Sequence, residues 1–138
     1  PKVKAMVSFT HGEGFGRPLL EFSITGKPVI ASAWSGHVDF LSEHGIPLAG
    51  DLREVHKSVV WENVIIEGSK WFYVDYGYAN STMKKIFKEY KKALEKSRKQ
   101  TQYVKDNFTL DLMGNKFEQM MTDNVPSFEI KIPKLEEI

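Results

Sequence analysis

Two carboxylates bracket a glycine-rich stretch near the start of the sequence. They are Glu13 and Glu21 in HGEGFGRPLLE, residues 11–21, where Gly12, Gly14 and Gly16 surround the first acid and Arg17 and Pro18 follow. Bare backbone N–H groups in such a loop, and at the start of the helix after it, favour a negatively charged ligand. The carboxylates favour something else. They would repel phosphate, but they accept hydrogen bonds from neighbouring hydroxyls. Backbone donors for phosphate beside acids for hydroxyls suit a nucleotide sugar, with one acid on the ribose and the other on the second sugar. The four histidines are scattered without a ligand spacing such as H-x-x-x-H, and there are no cysteines, so a metal site is not expected.

These residues need elements to position them. KVKAMVSF alternates Val3, Ala5, Val7 and Phe9 and reads as a strand. Pro18 suits the first position of a helix, which would run through PLLEFSIT. That places Glu21 about one turn in, on the side facing back over the loop. Gly26 and Pro28 end the helix, and PVIAS is a short buried strand. The result is a β-α-β unit with parallel strands and a right-handed crossover. A Ser35-Gly36 turn then leads into a short helix over 37–43.

The expected class is α/β, a Rossmann-like parallel sheet with flanking helices and a helical C-terminal region. One domain is divided into a β-α-β core (1–50), irregular structure with short strands or a hairpin (51–79), helices (80–122) and a tail (123–138). Asn80 or Ser81 would cap a helix whose apolar stripe is Met83, Ile86, Phe87, Tyr90 and Leu94. Thr109 would cap a final helix that buries Leu110, Leu112, Met113, Phe117, Met120 and Met121. The tail VPSFEIKIPKLEEI reads as an edge strand or a docking arm.

Bulk properties narrow the class. At 138 residues the chain fits one domain, and 41% hydrophobic residues support a packed core. A net charge of +1 argues against a general nucleic-acid binder. The lack of cysteine rules out a disulfide framework or a thiol nucleophile and fits a cytoplasmic protein. No apolar run approaches the length of a membrane span. The chain opens PKVKAMVSF without an initiator Met and reads as a piece of a longer protein.

HGEGFGRPLLEFSITGKPVIAS, followed by SGHVDFL, resembles the C-terminal domain of retaining GT-B glycosyltransferases. Their signature is E-x7-E, which Glu13 and Glu21 fit, within EGFG-x-P-x-x-E and GKPVIAS. The likeness is tight from Ser8 to Leu41 and loose beyond. It implies a donor half-site for a nucleotide-diphospho-sugar, used without a metal or other cofactor. Glu13 would sit at the catalytic centre, positioning hydroxyls of the donor sugar rather than attacking it. His11, Gly12, Gly14, Phe15, Gly16 and Arg17 would face sugar and diphosphate, as would the helix start at Pro18 and Leu19. Glu21 would hold the ribose, and Ser35, Gly36 and His37 would line the pocket. The likeness also implies missing parts: the N-terminal acceptor domain, and the first half of the C-terminal domain with its Arg/Lys pair for the diphosphate.

Other readings stand beside this one. A non-catalytic nucleotide-sugar-binding or partner-docking module is the alternative. A dinucleotide-dependent oxidoreductase is disfavoured, because PVIASAWSG lacks the acid expected at the end of the second strand. Trp34, Trp61 and Trp71 are packing residues or, on the sharper reading, sugar-stacking ones. Lys84, Lys85, Lys88, Lys91, Lys92, Lys96, Arg98 and Lys99 form a solvated helix face or one that touches an anionic membrane. A partial domain leaves a sheet edge unpaired, so self-association is expected.

Overall fold

The computed structural model describes residues 3–41 and 43–126. It is a mixed α/β structure whose centre is a three-stranded parallel sheet in the order β1-β2-β3, compatible with a Rossmann-like arrangement. The strands are β1 (Met6–Ser8), β2 (Val29–Ser32) and β3 (Ile46–Leu48). Between β1 and β2 runs α1 (Arg17–Ser23), and between β2 and β3 runs α2 (Val38–Leu41). The β-α-β unit is thus present with parallel pairing, Met6 opposite Val29 and Ser8 opposite Ala31.

The central strand explains the layering. All four residues of β2 are buried, as expected of a strand covered on both faces. Val29 and Ala31 pack with Leu19, Phe40 and Leu41 on the side of α1 and α2. Ile30 points the other way, into a cluster with Leu48, Phe72, Val74 and Ala79. The strand β3 goes beyond the sequence expectation. Pro47 interrupts a run of only three residues, which weakens the signal, but its missing N–H is tolerated at this sheet position.

The stretch 51–79 contains a regular hairpin. β4 (Gly50–Glu54) pairs antiparallel with β5 (Lys70–Val74), Leu52 opposite Phe72. SVVWENVIIEG is not one of its strands. It forms the connection, with a short 3-10 turn at Lys57–Val59 and a single Trp61–Ile65 bridge.

The helical region starts earlier than its capping residues suggested. α3 (Tyr76–Lys88) is capped by Asp75, whose Oδ1 accepts from Tyr78 N at 2.9 Å. Asn80 and Ser81 therefore lie inside the helix, and the Ser81 hydroxyl donates back to Tyr78 O. The stripe expected from Met83 to Leu94 does not lie on one helix. The helix breaks at Glu89 (φ −107°, ψ 37°), and α4 (Tyr90–Asn107) follows. The break lets two faces serve two neighbours: Met83 and Ile86 pack on the sheet cluster, while α4 lies against α1 and α2. Thr101 Oγ1 donates to Ser23 O at 2.8 Å, and Gln100 Nε2 donates to Phe40 O. Phe87, one position beyond Ile86, falls off the buried face and is 85% exposed.

The chain forms two compact units, Pro1–Phe108 and Thr109–Ile138. Thr109 caps α5 (Leu110–Asn124), its Oγ1 accepting from Leu112 N. The six residues expected to form a buried face on α5 are not buried: Leu110 is 87% exposed and Phe117 59%. A single amphipathic helix has nothing of its own to bury them against. The expected tail falls largely on residues 127–138, outside the described residues. No helix among the described residues is long and apolar enough to cross a membrane.

Candidate functional site

The glycine loop follows β1, at the C-terminal edge of the parallel sheet, where ligands of open α/β sheets bind. A second loop, after β2, clasps it. Ser35 Oγ accepts from Glu13 N at 3.0 Å and donates to Glu13 O at 2.6 Å, and Gly36 N donates to the same oxygen at 3.0 Å. Ser35 holds a left-handed φ of 82°, a strained value for a residue with a side chain. Gly36 is required by closeness, since a Cβ there would lie 2.0 Å from Gly14 O. The clasp therefore fixes the backbone of Glu13 from both sides. Its half-buried carboxylate has no hydrogen bond or ion pair among the described residues.

Gly14 differs from its neighbours. Its φ is not left-handed, and a Cβ would meet nothing within 4 Å. The fold itself does not demand glycine there; the space is open. Gly16 is structural, with φ 80° and the Cβ of His37 only 2.8 Å from where its own would be. Phe15 is half-exposed and rests on Phe40 at 5.3 Å between ring centroids.

The helix start contributes less than its sequence implied. Pro18 has no N–H to offer, and Leu19 N and Leu20 N both donate to Gly16 O, at 2.9 and 3.2 Å. Leu19 is 3% exposed and serves the core. Leu19 and Leu20 are thus not free donors for an anion, which leaves the loop and the first N–H of α1, at Arg17. Arg17 and Glu21 stand on the exposed face of α1, paired Nε to Oε1 at 2.7 Å. A solvated pair of this spacing is worth about 0.3–0.5 kcal/mol, so Glu21 exchanges it readily for another partner.

His37 points inward, where it lines a small cavity with Ser32 and Ala33. It is fully buried, its Nε2 donates to Ser32 O at 2.6 Å, and its ring supports the Gly16 turn. Its Nδ1 has no hydrogen-bond partner among the described residues. His11 is exposed and anchored to the hairpin. Nδ1 donates to Phe72 O at 2.7 Å, Phe72 N donates to His11 O at 3.3 Å, and the imidazole stacks on Trp71 at 4.9 Å. This leaves Nε2 as an acceptor. The hairpin is thereby part of the loop's surroundings. Sequence reasoning missed this, because His11 and Phe72 are 61 residues apart and no local pattern links them.

A separate groove of about 360 Å³ involves none of these residues. It lies between Ile46–Pro47 and the α3–α4 corner, with Lys85, Lys92, Lys96 and Glu89 on its walls. The remaining basic side chains of that face, from Lys84 to Lys99, are exposed.

No family model matches this chain, and no curated protein matches it.

Proposed function

We propose that the loop after β1 is the donor half-site of a glycosyltransferase of the retaining GT-B kind, binding a nucleotide-diphospho-sugar. The observation that carries this reading is Glu13. Its backbone is pinned on both sides by Ser35 and Gly36, while its carboxylate has no partner among the described residues at the ligand-binding edge of a parallel sheet. A carboxylate held in place without a partner is an acceptor kept for hydroxyls. Gly14 beside it leaves backbone open to a ligand. Glu21 faces solvent on the adjoining helix and pairs with Arg17.

On this reading Glu13 orients the sugar through its hydroxyls and Glu21 takes the ribose. Loop N–H groups face the diphosphate, assisted by Arg17 once Glu21 has turned to the ribose. No protein nucleophile is invoked, and a further domain presents the acceptor. Saturation-transfer NMR with UDP-, GDP- and ADP-sugars tests the reading. One of them should receive saturation on both ribose and sugar protons. Absence of transfer across all three would refute it.

A further inference from the structure

Trp34 has a large apolar ring that is 43% exposed. One face lies parallel to the buried Phe72 ring, with centroids 6.3 Å apart and 9° between planes. Phe72 belongs to the core under the sheet, so the support is rigid. Trp34 also immediately precedes Ser35, whose left-handed backbone and double hydrogen bond to Glu13 fix the chain direction at this point. Phe72 is in turn joined through its backbone to His11, the residue before Gly12. Trp34 therefore projects from one of the two clasped loops that also carry Glu13.

The chemistry of such a pair is specific. The face of an indole carries negative quadrupole charge and attracts the weakly positive C–H face of a pyranose. A carboxylate alongside takes the hydroxyls that project from that ring's edge. A nucleobase would also stack on indole, but it offers no row of vicinal hydroxyls to the acid.

We propose that Trp34 is a stacking platform for a pyranose ring, with Glu13 taking its hydroxyls and His11 Nε2 as a further acceptor. This deepens the donor-site reading and rests on it. The pyranose is either the donor's own sugar or that of a sugar acceptor, and the two are distinguished by the ligand used. The strain at Ser35 has a purpose on this account: it fixes the chain from which the indole projects, parallel to Phe72.

The test is calorimetric titration of the wild type, Trp34→Phe and Trp34→Ala with UDP, GDP, ADP and their glucose or mannose conjugates. Methyl glucoside and methyl mannoside are then titrated in the presence of the nucleotide that binds. Trp34→Ala should weaken the sugar-bearing ligand, or the methyl glycoside, roughly three- to tenfold, leave the bare nucleotide unchanged, and be partly rescued by Trp34→Phe. Loss confined to the conjugate assigns the donor sugar; loss confined to the glycoside assigns the acceptor. Melting curves of both variants check that they fold, and Trp34→Phe keeps the question open to measurement if Trp34→Ala does not. Quenching of tryptophan fluorescence by the sugar ligand should also fall in Trp34→Phe, leaving only the share of Trp71 beside His11. Conjugate and glycoside affinities both unchanged in Trp34→Ala, or in a folded Trp34→Phe that keeps the full quenching, overturn the platform while the nucleotide reading survives. A wild type that binds none of these nucleotides or conjugates overturns both.

Discussion

At Glu13 the backbone and the side chain have different tasks: one is tied down so that the other is left available. The glycines around it separate in the same way, which gives a paired prediction. Gly36→Ala puts a Cβ 2.0 Å from Gly14 O and 3.1 Å from Glu13 O, both backbone atoms that cannot turn aside. It should cost about 1–3 kcal/mol and lower Tm by several degrees in a thermal melt. Gly14→Ala meets nothing within 4 Å, so its stability should stay within about 0.5 kcal/mol of wild type while nucleotide-sugar binding falls. Equal Tm values for the two variants would contradict the clasp. Both acids and all three glycines were legible as a group, because their spacing is local. That Gly16 serves a left-handed turn, Gly36 a close contact and Gly14 neither was not legible, since that depends on a loop more than twenty residues away meeting the first.

At the scale of elements, the β-α-β unit follows from local signals: alternation before the loop, Pro18 at the helix start and a left-handed Gly26 at φ 73° after it. The hairpin and the helical region were harder to read. Gly50–Glu54 is polar apart from Leu52, so its role as a strand comes from pairing with Lys70–Val74 and not from its own pattern. The α3 cap shows the competition between signals. Asp75, Asn80 and Ser81 can all cap, and Asp75 succeeds because its carboxylate meets Tyr78 N where β5 ends. Asp75→Ala should therefore destabilise the protein by about 1 kcal/mol in denaturant melts. Asn80→Ala, at an exposed position inside the helix, should change stability by no more than about 0.5 kcal/mol. The reverse order would return the helix start to Asn80.

The whole molecule joins a packed α/β unit to a second unit whose described helix carries its apolar residues uncovered. Leu110, Phe117 and Met120 are each more than half exposed on α5, and exposed apolar side chains of this size favour association. Light scattering should show concentration-dependent association, reduced by a combined Phe117→Lys and Met120→Lys change; a clean monomer at all concentrations would count against it. Glu13 and Glu21 lie in the first unit. Calorimetry compares wild type, Glu13→Gln and Glu21→Ala, each titrated with a nucleoside diphosphate and with the matching nucleotide sugar. A hydrogen bond to a charged group is worth about 1.5–3 kcal/mol, or roughly ten- to hundredfold in affinity. Glu21→Ala should lose that factor for both ligands, and Glu13→Gln should lose affinity for the nucleotide sugar alone. Affinities unchanged in both variants would contradict the assignment of the two carboxylates to the two sugars of one donor.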